Sequence, residues 1–261
     1  MPNNYFEFKQ FMVQQDNCAM KVCTDACLFG AFVANCQLPI GNPLTEPRGQ
    51  DAVHCLDIGT GTGLLSLMLA QKNDSVIIDA FEIDTDAAQQ AKENFTASPW
   101  GDRLEVFNKD VLILAPDPFI EPDKQKAVRK KYDLIICNPP FFEDDLLSPD
   151  DTKNKAKHST ALTLVELLHI ADIHVTAGGS FAVLLPYLRV DYFIEEAARV
   201  DLHLNKQILV KQSPKHNFFR GILFFSRIEK EVEQMEIAIK DEADQYTAAF
   251  AEALKDYYLY L

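Results

Sequence analysis

Tyr132-Asp133-Leu134-Ile135-Ile136-Cys137-Asn138-Pro139-Pro140-Phe141-Phe142 is a polar start, an apolar run of four and an abrupt stop. A short continuous apolar run of this kind reads as a strand buried on both faces of a parallel sheet. Proline cannot donate to a ladder and restricts the residue before it, so the two prolines end the strand at once. Asn138 is thereby expected at the carboxyl end of a central strand, where open α/β sheets place their ligands. Its amide offers one acceptor and a donor pair, with no charge that changes near pH 7. The prolines stiffen the carbonyls beside it, and Phe141 adds a flat apolar face. A planar group bearing an NH2 fits that set: its hydrogens go to the Asn138 oxygen and the Pro139 carbonyl, and its ring stacks on Phe141. Taken alone, the same stretch also reads as a strand-terminating turn with a core aromatic behind it.

Upstream, His54-Cys55-Leu56-Asp57-Ile58-Gly59-Thr60-Gly61-Thr62-Gly63-Leu64-Leu65-Ser66-Leu67-Met68-Leu69-Ala70 reads as a strand, a glycine turn and a helix. Glycines allow positive φ and close approach of a ligand, and a helix N-terminus presents free N–H groups. The spacing G-x-G-x-G departs from the dinucleotide pattern G-x-G-x-x-G. A second strand, Val76 to Ile83, ends in Phe81-Glu82-Ile83-Asp84. Glu82 is placed to accept from two ribose hydroxyls, and Asp84 to cap the helix from Thr85 to Phe95. A nicotinamide-dependent dehydrogenase would share this loop and this acid. Leu104 to Phe107 reads as a third strand, with Asp110 after it in reach of an adenine amino group.

Elsewhere, Phe6, Phe8, Phe11 and Val13 suggest a short strand or hairpin arm. Ala26 to Cys36 suggests a buried helix capped by Thr24 or Asp25. Residues 38–51 and 112–131 read as loops rich in proline, and Glu143 to Lys157 as a polar lid. A helix from Thr163 to Val175 closes at Gly178-Gly179, and a strand follows from Ser180 to Leu185. Val190 to Val200 is a helix, and Leu204 to Val210 with Phe218 to Ile228 are closing strands. From Glu229 the tail is acidic and helix-forming, with Phe250, Leu254 and Tyr257 as a packed stripe. The expected division is an extension over 1–50, a main domain over 51–228 and a helical tail over 229–261.

Composition narrows the function classes. The 261 residues are 48% hydrophobic, enough for one large α/β domain. No apolar run approaches a membrane span, and the start lacks the order of a signal peptide, so a cytoplasmic protein is expected. None of the six cysteines forms a Cys-x-x-Cys pair, and no zinc site is expected. The formal charge of −14 argues against indiscriminate nucleic-acid affinity. Two basic runs, within 124–131 and 153–158, nevertheless flank the Asn-Pro-Pro-Phe stretch, and with Lys206, Lys211, Lys215 and Arg220 they are candidates to grip phosphates. His54, His169, His174 and His203 read as structural, His158 in the expected lid is the exception, and no serine or cysteine has a base placed beside it.

With Asp57-Ile58-Gly59-Thr60-Gly61-Thr62-Gly63, Glu82, Asp110 and Asn138-Pro139-Pro140-Phe141 in this order, the chain resembles the class I S-adenosylmethionine-dependent amino-methyltransferases. Further stretches, Phe6-x-Phe8-Lys9-Gln10-Phe11, Ala19-Met20-Lys21-Val22-x-Thr24-Asp25, Ser98-Pro99-Trp100 and Tyr246-Thr247-x-x-Phe250, are similar to the bacterial tRNA1(Val) adenine-N6-methyltransferase family, so the likeness spans nearly the whole chain. Cys23 and Ala26 depart from it, standing where the family pattern has glycine, and Lys157-His158 stands for an Arg-His pair. The resemblance implies a Rossmann-like α/β fold, a seven-stranded, mostly parallel, doubly wound sheet with a reversed last strand. It implies S-adenosylmethionine held by Lys21, Thr24, Asp25, Asp57, Gly59, Thr60, Gly61, Gly63, Glu82, Asp110 and Asn138, with Asn138, Pro139, Pro140 and Phe141 as the catalytic set. Its partner would be the anticodon loop of a tRNA, methylated on N6 of adenine 37; no metal is expected, and a monomer is favoured with the oligomeric state left open. Methylation of a protein glutamine at N5, or of adenine in another nucleic acid, uses a similar Asn-Pro-Pro turn and stays open.

Overall fold

A computed structural model describes residues 3–18, 20–36, 52–114, 130–139 and 162–261. Its centre is one eight-stranded sheet in the order β10-β8-β9-β7-β6-β3-β4-β5. The strands are β3 (Val53–Ile58), β4 (Val76–Glu82), β5 (Leu104–Asn108), β6 (Tyr132–Cys137), β7 (Val175–Pro186), β8 (His203–Lys211), β9 (Phe218–Ser226) and β10 (Glu233–Ala238). Strands β5, β4, β3, β6 and β7 pair in parallel, whereas β9 runs antiparallel to both β7 and β8. The expected parallel sheet with a reversed strand is therefore present, with eight strands instead of seven.

The extra strand corrects the reading of the tail. Glu233-Gln-Met-Glu-Ile-Ala is built of good helix formers, yet it pairs in parallel with β8 from Lys206 to Lys211. Ladder hydrogen bonds and two cross-strand pairs, Lys206–Glu233 at 2.7 Å and Lys211–Glu236 at 3.2 Å, override a propensity worth only tenths of a kcal/mol per residue. The charges also blunt the sheet's open edge. The tail then turns into a helix, Ala248–Leu254, and Phe250, Leu254 and Tyr257 are wholly buried, as their spacing suggested.

Both faces of the sheet are covered, which is why the central strands read as unbroken apolar runs. Leu134 and Ile136 face one hydrophobic cluster, with helices α1 (Thr24–Ala34) and α2 (Leu64–Lys72). Ile135 and Cys137 face the other, with helices α4 (Leu164–His174) and α5 (Val190–Arg199). Helix α3 (Thr85–Ala97) lies between β4 and β5 in the chain. A capping box, Thr163 Oγ1 with the Glu166 N–H and the Glu166 carboxylate with the Thr163 N–H, fixes the start of α4.

Two starts differ from expectation in ways that bear on packing. Strand β7 begins at Val175 and runs through Gly178-Gly179 instead of starting after them. A Cβ on Gly179 would lie 3.0 Å from the Asp133 carbonyl, so the glycine lets β7 close on β6 where their register shifts. Helix α1 begins at Thr24 with Cys23 as an N-cap that makes no side-chain bond, not with Thr24 or Asp25 as the cap.

The N-terminal segment forms the expected hairpin, β1 (Tyr5–Glu7) with β2 (Met12–Gln14). It packs against the other end of the chain: Phe8 bridges Tyr258, the Lys9 N–H donates to the Tyr257 carbonyl at 2.8 Å, and Phe11 meets the edge of Trp100. Among the described residues no helix is long and apolar enough to cross a membrane.

Candidate active site

The chain proceeds from β3 to β4 on one side and from β6 to β7 on the other, so the neighbours β3 and β6 flank the point where the strand order reverses. Ile58 is paired with Cys137 across that boundary. The next residue on each strand, Gly59 and Asn138, therefore leaves the sheet at the same level. The glycine loop and the Asn-Pro turn meet here because of strand register, not sequence proximity.

Gly59, Gly61 and Gly63 have φ of 69°, 56° and 84°, the left-handed region that other residues enter at a cost. The Gly59 and Thr60 N–H groups both donate to the Phe81 carbonyl, at 2.9 and 3.1 Å, and the Gly61 N–H donates to Glu82 Oε2 at 2.8 Å. A Cβ on Gly59 or Gly61 would meet nothing within 4 Å, whereas one on Gly63 would lie 2.5 Å from the Phe95 ring. The first two glycines border open space. Gly63 serves the packing of α2 against α3.

Asp57 is wholly buried beneath this loop. Its Oδ2 accepts from Thr60 Oγ1 at 2.7 Å and from Ser66 Oγ at 2.6 Å, while Oδ1 is buried without a partner. Burial raises its pKa from 3.8 to about 6, against the opposing effect of the two hydroxyls. The Asn138 Oδ1 is likewise buried, and neither atom has a partner among the described residues. Buried polar atoms are nearly always paired, so two orphaned acceptors at one switch point mark places where a ligand's donors fit. An ammonium suits the carboxylate, and an amino group suits the amide oxygen.

Glu82, at the end of β4, holds the turn: Oε2 takes the Gly61 N–H and Oε1 takes the Asp84 N–H at 3.0 Å. Asp84 caps α3 through the Ala87 N–H at 2.8 Å, as its position suggested. Asp110 is exposed past β5, with Oδ1 accepting from the Leu112 N–H at 2.9 Å. Lys21 is exposed, its Nζ 3.4 Å from the Asn3 carbonyl. Asp25 Oδ2 accepts from Arg220 Nε at 2.7 Å. Pro139 is described; Pro140, Phe141, the 143–157 segment, Lys157, His158 and the basic runs apart from Lys130 and Lys131 lie outside the described residues.

Several cations expected to grip phosphates face carboxylates instead: Lys206 pairs with Glu233, Lys211 with Glu236 and Arg220 with Asp25. Cys55 and Cys137 are buried and unbridged, and burial pushes both thiols well above their ordinary range. They act as small apolar groups. His174 is held by the Lys130 and Leu114 carbonyls at 2.8 and 2.9 Å, a structural role. Among the described residues no group of His, Cys, Asp and Glu is arranged to hold a metal.

Sequence reasoning missed three supports. Ser66 holds Asp57, and it is the only polar residue from Leu64 to Ala70, a signal that was available. Asn94 ties the hairpin to the glycine loop, accepting from the Gln14 N–H and donating from Nδ2 to the Gln14 and Thr62 carbonyls, each at 2.9 Å. Asn108 donates to the Glu82 carbonyl at 3.0 Å. Nothing in the sequence around these two asparagines distinguishes them from surface residues.

Residues 44–162 match the family described as the methyltransferase small domain. A protein of Flavobacterium psychrophilum named tRNA1(Val) (adenine(37)-N6)-methyltransferase is 37% identical over 254 residues, 97% of this chain and 99% of that one. One of the same name from Cytophaga hutchinsonii is 38% identical over 266 aligned positions, covering both chains completely. Among solved structures, a protein of Agrobacterium tumefaciens described as a predicted O-methyltransferase superposes with a TM-score of 0.60. The match covers 89% of this chain and 96% of that one, and at 13% identity it speaks for the fold alone.

Proposed function

The chain belongs to the tRNA1(Val) (adenine(37)-N6)-methyltransferase family, and from that premise we propose that it methylates the exocyclic N6 of adenine 37 in the anticodon loop of tRNA1(Val), with S-adenosylmethionine as the donor. The observation that carries the reading is the pair of orphaned buried acceptors, Asp57 Oδ1 and Asn138 Oδ1, on adjacent strands at the switch point. S-adenosylmethionine has an ammonium for the first, and adenine an amino group for the second. When bound, the cofactor supplies a methyl group carried on a positively charged sulfur.

The chain's own residues do the rest. Asp57 would hold the cofactor's ammonium, Glu82 its ribose hydroxyls and Asp110 its adenine amino group. Gly59, Thr60 and Gly61 leave room for close approach, and Lys21, Thr24 and Asp25, ahead of and at the start of α1, would cover the cofactor. Asn138 Oδ1 and the Pro139 carbonyl accept the two N6 hydrogens of the target adenine. That draws the nitrogen from planar toward pyramidal and frees a lone pair otherwise delocalised into the ring. Positioning contributes most of the remaining acceleration. The methylated N6 is cationic and strongly acidic and gives its proton to solvent water only after the methyl has been taken, so a neutral amide suffices where a general base would otherwise stand. Phe141, two residues beyond Pro139 in sequence, stacks on the flipped base, and Pro140 stiffens the turn between them. An anticodon-loop base is already unpaired, which lowers the cost of flipping it. The reading sets the protein in the cytoplasm.

The test is transfer of tritiated methyl from S-adenosylmethionine to unmodified tRNA1(Val), followed by nucleoside analysis. N6-methyladenosine that disappears when adenine 37 is replaced by guanine supports the proposal. No incorporation while the cofactor still binds would overturn it and favour a protein glutamine as acceptor.

A further inference from the structure

We infer that the turn Tyr187–Arg189 and the β8–β9 hairpin form the platform for the single-stranded RNA flanking the target adenine; this rests on the function proposed above and assigns it a substrate surface. Strand register places the two segments beside Asn138. Cys137 pairs with Val183, Pro186 with Arg220, and Arg220 in turn with Val210. The end of β7, the end of β8 and the start of β9 therefore leave the sheet on the same side as Asn138.

Two features of this rim need an occupant. Leu188 is 86% exposed and Tyr187 38%, on a short 3-10 turn set by Pro186. The Tyr187 ring leans on Phe218 with centroids 5.5 Å apart, and Lys211 Nζ lies 5.0 Å from the Phe218 ring centre, so the aromatic pair is held in place from below. A fixed, half-exposed ring beside an exposed leucine is a stacking surface that the fold itself does not use.

The charge pattern selects the occupant. The chain has 39 acidic residues, yet none lies from Ile173 to Val190 or from Leu202 to Ile228. The first acid after the turn is Asp191, in α5. Lys206, Lys211, Arg220 and Arg227 are matched by Glu233, Glu236, Asp25 and Asp172. Lys215 at the hairpin tip is exposed and has no carboxylate partner among the described residues. A half-exposed ring beside an exposed leucine, a tip lysine, rim carboxylates neutralised by Lys211 and Arg220, and continuity with the adenine site suit a polyanion whose bases stack. They do not suit a broad electrostatic grip on a duplex, which would need many unpaired cations.

The experiment is steady-state methylation of an unmodified tRNA1(Val) transcript by Tyr187→Ala, Tyr187→Phe and Leu188→Glu variants. Loss of one stacked base corresponds to about a tenfold rise in KM or more. Tyr187→Ala and Leu188→Glu should show that rise, with kcat and S-adenosylmethionine affinity at wild-type values. Tyr187→Phe, which keeps the ring, should return KM to the wild-type value. Wild-type methylation of tRNA with unchanged KM in the first two variants overturns this surface alone. A wild-type enzyme that methylates no tRNA overturns the function on which it rests, and this surface with it.

Discussion

Arg220, on β9, donates from Nε to Asp25 Oδ2 at 2.7 Å and so ties the start of α1 to the rim of the sheet, 195 residues away in the chain. The Asp25 carboxylate is nearly buried and the arginine is only partly exposed. Removing one partner of such a pair leaves a charge without compensation, which costs more than the intact pair contributes. Arg220→Ala should lower unfolding stability by roughly 2 kcal/mol. Arg220→Ala combined with Asp25→Asn should recover part of it. A double-mutant cycle in urea measures this, and strict additivity would show that the contact contributes nothing.

The glycines of the loop should separate binding from folding. Gly61 has positive φ and open space where a Cβ would go, so Gly61→Ala meets backbone strain of about 1 kcal/mol and no packing clash. Gly63→Ala meets the same strain and also the Phe95 ring at 2.5 Å. Gly61→Ala should weaken S-adenosylmethionine binding at least tenfold with a small change in Tm. Gly63→Ala should lower Tm by several degrees more. Calorimetric titration beside thermal unfolding distinguishes them, and equal losses of Tm would contradict the assignment of Gly63 to packing.

Asp57 gives the site a pH dependence whose sign follows from burial. Its pKa is raised from 3.8 to about 6, so the unliganded protein is favoured by its neutral form. That contribution is fully present below pH 3.8 and is lost as pH rises through about 6, an effect of about 3 kcal/mol. An ammonium ligand reverses the preference, because it pairs with the ionised carboxylate. S-adenosylmethionine should therefore bind best near pH 7 and weaken progressively as pH falls below about 6. In Asp57→Asn, binding should be weaker at pH 8 and lose this dependence. Titrations between pH 5 and 8 decide, and an unchanged slope in the variant would remove Asp57 from ammonium binding.

The parts legible in sequence are those in which local pattern and global fold agree. Leu134 to Cys137, stopped by two prolines, read as a strand covered on both faces, and the glycine loop announced its turn through residues that positive φ favours. Asp84 as a cap was local chemistry and was found. What escaped depended on partners distant in the chain. Strand β10 is helix-forming in isolation and becomes a strand because β8 offers an unpaired edge. Lys206, Lys211 and Arg220 looked like phosphate ligands until the fold brought Glu233, Glu236 and Asp25 to them. Asn94 bridges the hairpin and the loop from the middle of α3, where its composition is unremarked.

Asn138 carries the sharpest prediction, because its Oδ1 is buried, unpartnered and level with the glycine loop across the β3–β6 ladder. Asn138→Ala removes the acceptor that orients the target amine while leaving Asp57, Glu82 and the loop's own hydrogen bonds untouched. Loss of one preorganised hydrogen-bonding group at a reacting centre costs on the order of 10²–10³ in kcat. Methylation of tRNA1(Val) should fall by that factor in Asn138→Ala, with S-adenosylmethionine affinity nearly unchanged. Asn138→Asp keeps an acceptor in place and should fall less. The size of the drop separates a reacting-centre role from a strand-terminating turn, since a turn residue would alter Tm and leave kcat of the folded fraction intact. Simultaneous loss of methylation and cofactor binding in Asn138→Ala would mean that the amide supports the cofactor pocket and that the target amine is oriented by another group.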